Sequence, residues 1–134
     1  MWNAGDTVGP QTLVITREQI VRYAGASDDY NPIHYDDERA KAFGLEGIIA
    51  HGMLSMGLVA RVISSECPPG ARLERYGVRF QAMVQPGQTV TILGTVTSIE
   101  HYARKTRAEV AVTLGVGQEK PAIAGHSVWI WPNA

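Results

Sequence analysis

Residues 48–63, IIAHGMLSMGLVARVI, decide the fold. The run is mostly apolar, and Gly52, Ser55, Gly57 and Ala60 supply small side chains that let a helix lie close against other backbone. It is shorter than the roughly 20 apolar residues a membrane span needs, and it contains His51 and Arg61. The expectation is a buried core helix. Pro68, Pro69 and Gly70 end it, since proline lacks the amide hydrogen that a helix needs.

Downstream the period changes from helix to strand. Tyr76, Val78, Phe80, Ala82 and Val84 alternate with Gly77, Arg79, Gln81 and Met83, the two-residue period of a half-buried strand. Pro86-Gly87 makes a turn, and Thr89 to Ile99 is a second strand rich in threonine and β-branched residues. A third puts Ala108, Val110, Val112, Leu114 and Val116 on one face and Arg107, Glu109, Ala111 and Thr113 on the other. Gly117 to Lys120 reads as a polar turn. The last strand, Ala122 to Trp131, sets Trp129 and Trp131 on one face and Val128 and Ile130 on the other. Antiparallel strands following one buried helix make an α+β domain with the helix packed on a sheet.

Upstream, Leu13, Val14 and Ile15 mark a strand or extended arm from Gln11 to Thr16. Thr16 with Gln19 fits a capping box, so a short helix is expected from Arg17 to Gly25. It delivers the chain to Tyr23–Ala40, YAGASDDYNPIHYDDERA. Here Pro32 has no N–H and pushes Asn31 out of the α region, giving a stiff, irregular loop. Asp36, Asp37 and Glu38, then Arg39, Lys41 and Gly44, suggest another short helix with negative charge at its start and glycine after its end.

The 134 residues suit one domain spanning 1–134, and no internal repeat or linker interrupts them. Twelve basic against 13 acidic residues, a net charge of -1, give no electrostatic reason to expect nucleic acid or an anionic membrane surface. Partners are expected to be small molecules or proteins. One cysteine, Cys67, excludes an intrachain disulfide, and the start MWNAGDTVG lacks the features of a secretory signal, so the expected location is the cytoplasm.

Asp29 and His34 lie five residues apart on the loop. If they converge, carboxylate and neutral imidazole both accept hydrogen bonds from one water, which suits addition or elimination of water. No G-x-S-x-G elbow or cysteine-centred motif supports a nucleophilic enzyme. His51, His101 and His126 show no ligand-like spacing with His34, so no metal is expected. Ala50-His51-Gly52 heads the buried helix, where unpaired amides carry partial positive charge. A Gly52 N–H facing the loop would polarise a carbonyl, and losing such a donor costs about 3 kcal/mol of transition-state stabilisation.

Each residue also has an ordinary reading. Asp29 reads as a turn former, His34 as a surface or satisfied loop histidine, and Gly52 as a packing glycine. Met53 and Met56 read as core filler, Ser27, Asp28 and Tyr30 as loop hydrogen-bonders, and Trp129 and Trp131 as sheet packing or a subunit contact.

Ser27-Asp28-Asp29-Tyr30-Asn31-Pro32-Ile33-His34 with Ala40, followed by Ala50-His51-Gly52-Met53-Leu54, resembles the MaoC-like (R)-specific enoyl-CoA hydratases. The resemblance implies a hot-dog fold, an antiparallel sheet wrapped around a long central helix with the motif loop overhanging it. It implies pairing into a dimer or higher homo-oligomer, with a heterodimer as the other option and acyl sites at the interface. By position, Asp29 and His34 match the catalytic pair, Gly52 the oxyanion amide and Asn31 the supporting loop residue, with His51 and Ser55 beside the substrate. The implied reaction is hydration of a trans-2-enoyl thioester of coenzyme A or an acyl carrier protein to the (3R)-hydroxyacyl thioester, without metal or redox cofactor. Two positions depart from the pattern. Asp28 stands where glycine is common and could raise the pKa of Asp29 if the two lie close. Ala60 stands where some members carry serine, for which Ser55 is a substitute. Arg72, Arg75, Arg79, Arg104, Lys105 and Arg107 read either as contacts for carrier phosphates or as a solvated sheet edge. The alternatives are a hot-dog acyl thioesterase and a non-catalytic subunit of a heteromeric dehydratase.

Overall fold

The computed structural model describes residues 1–117 and 120–134. Its elements are β1 (Thr7–Val14), α1 (Arg17–Ser27), a 3-10 turn (Pro32–His34), α2 (Asp37–Ala42), α3 (Gly52–Ser65), β2 (Arg72–Phe80), β3 (Thr89–His101), β4 (Lys105–Val116) and β5 (Ile123–Pro132). The strands form one antiparallel sheet in the order β1-β3-β4-β5-β2, and α3 packs against β1, β3 and β4. This is the expected sheet wrapped on one long helix.

The alternation along β4 is realised as read, with Ala108, Val110, Val112 and Leu114 all buried on the helix side. Val90, Ile92 and Val96 of β3 join them, and α3 answers with Leu54, Leu58, Val59, Val62 and Ile63. Each buried valine, leucine or isoleucine contributes about 1.5–3 kcal/mol by leaving water. Gly94 allows the close approach, because a Cβ there would stand 2.7 Å from Ile63 Cδ1. Trp129 and Trp131 turn inward, and Trp2 meets both edge-to-face at 6.0 Å. The Tyr76 hydroxyl donates to the Met56 carbonyl at 2.7 Å and ties β2 to α3; burial pushes its pKa up to about 12.

Several boundaries differ from expectation. The first strand runs Thr7–Val14 rather than from Gln11 to Thr16, because Thr16 leaves the sheet to accept from Gln19 N–H as the N-cap of α1. The long helix begins at Gly52 and not Ile48, since the preceding residues are extended: Ile49 N–H donates to Ile33 O and Ala50 N–H to Val84 O. The strand read over 76–84 lies at Arg72–Phe80, on the sheet's edge and mostly exposed. Residues 81–84 bend off it so that Val84 O reaches Ala50. Met53 is exposed on the first turn of α3, not core filler. Of the expected turn Gly117–Lys120, residues 118 and 119 lie outside the described residues.

Candidate active site

Short-range bonds build the loop after α1. Asp28, at φ 59°, ends the helix in the left-handed region and donates its N–H to Ala24 O. That conformation favours glycine and tolerates aspartate, so Asp28 fills the position glycine commonly takes in the motif. Asp29 Oδ1 accepts from Asn31 N–H at 3.3 Å, and Asn31 Oδ1 accepts from Ile33 N–H at 3.2 Å, capping the 3-10 turn. Asn31 thus holds the loop's shape. Asp37 ties the other side: its Oδ1 accepts from Ile48 N–H at 3.0 Å, and Arg17 pairs with it.

The turn carries His34 inward, where its Nδ1 stands 2.8 Å from Ile49 O. A carbonyl only accepts, so Nδ1 bears the hydrogen and Nε2 keeps a lone pair. The Asp29 carboxylate offers an oxygen within 4.8 Å of a ring nitrogen of His34. Two hydrogen bonds of about 2.8 Å each from one water oxygen span such a gap.

His34 lines a cleft of about 270 Å³ together with Gly52, Ser55, Phe80, Met83 and Ile123. Gly52 is the first residue of α3, so its N–H has no acceptor within the helix. The Phe80 ring lies across it, and a Cβ on Gly52 would come 2.9 Å from Phe80 Cε1. Any larger residue would require the half-exposed ring to shift. Ser55 is buried on the cleft side of α3, whereas Ala60 faces the sheet beside Leu73 and Tyr76.

His51 is placed differently from its neighbours in the motif. It is 2% exposed, stacks on His34 with centroids 3.7 Å apart and planes 21° apart, and lies 3.3 Å by Nε2 from Asp29 O. Asp29, His34 and His51 therefore gather ligand-type atoms within 4.8 Å, a cluster that spacing along the chain conceals. The two rings do not suit a shared metal. A bound ion lies in the plane of each imidazole, and planes so nearly parallel do not meet within a metal–nitrogen bond of about 2 Å.

Spacing singled out Asp29, His34 and Gly52; the fold sets Asp29 beside His34 and puts His34 and Gly52 on one cleft, whose lining does not include Asp29. It missed Phe80, Met83 and Ile123 as cleft walls. The alternation that placed Phe80 in a strand was the only signal there, and it carries no mark of a cavity.

Residues 3–118 match the MaoC like domain. The (R)-specific enoyl-CoA hydratase of Rhodospirillum rubrum is 38% identical over 86 residues, 63% of this chain and 60% of that enzyme, so the match spans less than two thirds of that relative. The 3-hydroxyacyl-thioester dehydratase Z of Mycobacterium tuberculosis is 35% identical over 133 residues, covering 93% of this chain and 88% of the relative. Among solved structures, the unliganded R-hydratase of Pseudomonas aeruginosa superposes with a TM-score of 0.88 at 25% identity, covering 99% of this chain and 84% of that one. With a family match over most of its length, and with the sheet, helix and overhanging loop in place, the chain belongs to the MaoC-like domain family.

Proposed function

We propose that this protein is a hydro-lyase that reversibly hydrates trans-2-enoyl thioesters, carried by coenzyme A or an acyl carrier protein, to (3R)-hydroxyacyl thioesters. The observation that carries the reading is the approach of Asp29 to His34, which itself lines the cleft. The Asp29 carboxylate and the His34 ring stand within 4.8 Å of each other, and His34 shares the cleft with the first amide of α3 at Gly52.

In this reading one water donates to Asp29 and to the lone pair on His34 Nε2. Hydroxide adds to the β-carbon, the released proton passes to the pair, and one member returns a proton to the α-carbon. Negative charge gathers meanwhile on the thioester oxygen, where the Gly52 N–H stabilises it; one preorganised donor of this kind contributes about 3 kcal/mol. The apolar walls Phe80, Met83 and Ile123 suit the acyl chain. None of these steps draws on a metal or redox cofactor.

The active form we propose is a homodimer or higher homo-oligomer. The free edge of β2 and the exposed Phe80, Met83 and Met53 support this, since a partner would cover them. The proposed location is the cytoplasm, and no helix among the described residues is long and apolar enough to cross a membrane.

The test mixes purified protein with crotonyl-CoA and follows enoyl absorbance and free thiol together. Loss of enoyl signal without thiol release, slowed by about three orders of magnitude in Asp29→Asn and His34→Ala, is the expected result. Thiol release identifies a thioesterase instead, and no change in either signal from a folded oligomer overturns the enzymatic reading for this substrate.

A further inference from the structure

Among the described residues, one buried side-chain atom has no hydrogen-bond partner: His51 Nδ1. Burial without a partner is a net cost to folding, so a histidine kept there calls for a reason beyond packing. His51 does not line the cleft; its ring is sandwiched beneath the loop, with His34 stacked at 3.7 Å and Tyr23 meeting it edge-on at 4.8 Å. Because the Asp29 carbonyl only accepts, His51 Nε2 bears the hydrogen and donates to it at 3.3 Å, which leaves the orphaned Nδ1 as a bare lone pair. Burial lowers the His51 pKa, against the bond to the Asp29 carbonyl, which raises it. The geometry favours the neutral ring, because a second proton on Nδ1 would be a buried donor without an acceptor.

His51 is also the residue immediately before Gly52, at the N-cap position of α3, where its side chain makes no capping bond. One ring thus touches every part of the machinery. We propose that His51 is a positioning residue: its neutral ring sets the plane of His34 by stacking, and its Nε2–H fixes the Asp29 backbone, registering both against the Gly52 amide. A neutral platform matters because His34 takes up a proton during turnover. A second cation stacked on it would oppose that charge, and a flat neutral ring does not.

The test compares His51→Phe, which keeps a flat ring but loses the donor, with His51→Gln, which keeps a donor but loses the stack. Each is made alone and in the Asp29→Asn background, with folding checked by circular dichroism. The kinetic arm rests on the hydratase reading. Each single variant is expected to lower kcat by about 30-fold or more with KM within about threefold, and to cost less than about threefold once Asp29 is already Asn, since residues acting as a unit are not additive. Wild-type kcat in both variants, or an equal loss in both backgrounds, overturns the proposal. Wild-type protein inactive on crotonyl-CoA would sink the hydratase reading alone, and nitrogen-15 NMR then decides for His51. The neutral Nε2–H tautomer, with a His34 ring resonance displaced by His51→Gln, supports it; the opposite tautomer or an unmoved resonance overturns it.

Discussion

The two walls of the cleft are built in opposite ways. On one side, His34 is 7% exposed and backed by His51, which is 2% exposed and lies behind the cleft, and a ladder of short-range bonds from Ser27 to His34 fixes the loop before any substrate arrives. Facing it, Phe80 at the end of β2 is 52% exposed, and Met83, 61% exposed, lies on the stretch that then leaves the sheet, held by a few backbone contacts to Ala122 and Ala50. In the proposed reaction, the polar wall is held where proton transfer demands fixed distances. The apolar wall is left open where the proposed acyl chains would differ and where the proposed second subunit would close it.

The comparison breaks most sharply if the polar wall proves dispensable. Asp29→Asn and His34→Ala should each lower hydration kcat/KM by about three orders of magnitude, within the range for general acid–base groups. Asp29→Asn should leave the melting temperature near wild type, whereas His34→Ala should lower it, since it empties a buried ring site and leaves Ile49 O without its donor. A loss smaller than tenfold would move the chemistry elsewhere.

Next in size is the contact between the walls. Gly52→Ala drives a methyl group to 2.9 Å from the Phe80 ring and should lower kcat by about two orders of magnitude. Adding Phe80→Ala should recover part of that loss, because the obstruction is the ring and not the backbone. If the double variant is no better than Gly52→Ala, the methyl acts on the amide itself.

Phe80→Ala alone sharpens the contrast. It should change the ratio of kcat/KM between long and short enoyl chains by about tenfold, in line with a hydrophobic wall's worth of about 1–3 kcal/mol, while the ratio for His34→Ala stays near wild type. Tyr76→Phe, which removes the bond from β2 to the Met56 carbonyl, should cost about 1 kcal/mol in denaturant unfolding and leave the chain-length ratio alone.

The smallest effect is set by pH. The Ile48 amide bond, then Arg17, hold the Asp37 carboxyl below 3.8. A folded pKa depressed in this way means that the tie to the polar wall is present above pH 3.8 and is lost only as pH falls through the lower folded value. Melting temperature should therefore show no Asp37-dependent step near neutrality, and an Asp37→Asn variant should lose the acid step below pH 3.8.

What could be read along the chain follows this same division. Asp29, Asn31, Pro32 and His34 sit within six positions, so local turn chemistry alone brings them together, and Gly52 announced itself at a helix start. The β3–β5 alternation was equally legible because each inward face is continuously apolar. Phe80 was placed in the right strand, where Tyr76 and Val78 keep the half-buried alternation, but Phe80 itself is exposed, and only the sheet order reveals an edge. The stack of His51 on His34 was invisible, since it depends on an extended segment, Ile48 to Ala50, that the apolar run disguised as helix.

The tryptophans offer a practical corollary. All three in the sequence, Trp2, Trp129 and Trp131, form one aromatic knot, and six residues of extended strand, about 20 Å, separate Trp129 from Ile123 in the cleft. Intrinsic fluorescence will therefore report the docking of the N-terminal arm and global unfolding, and stay silent to acyl ligands. A tryptophan introduced at Phe80 would give the opposite reporter, so the two ends of one molecule can be watched by separate optical signals.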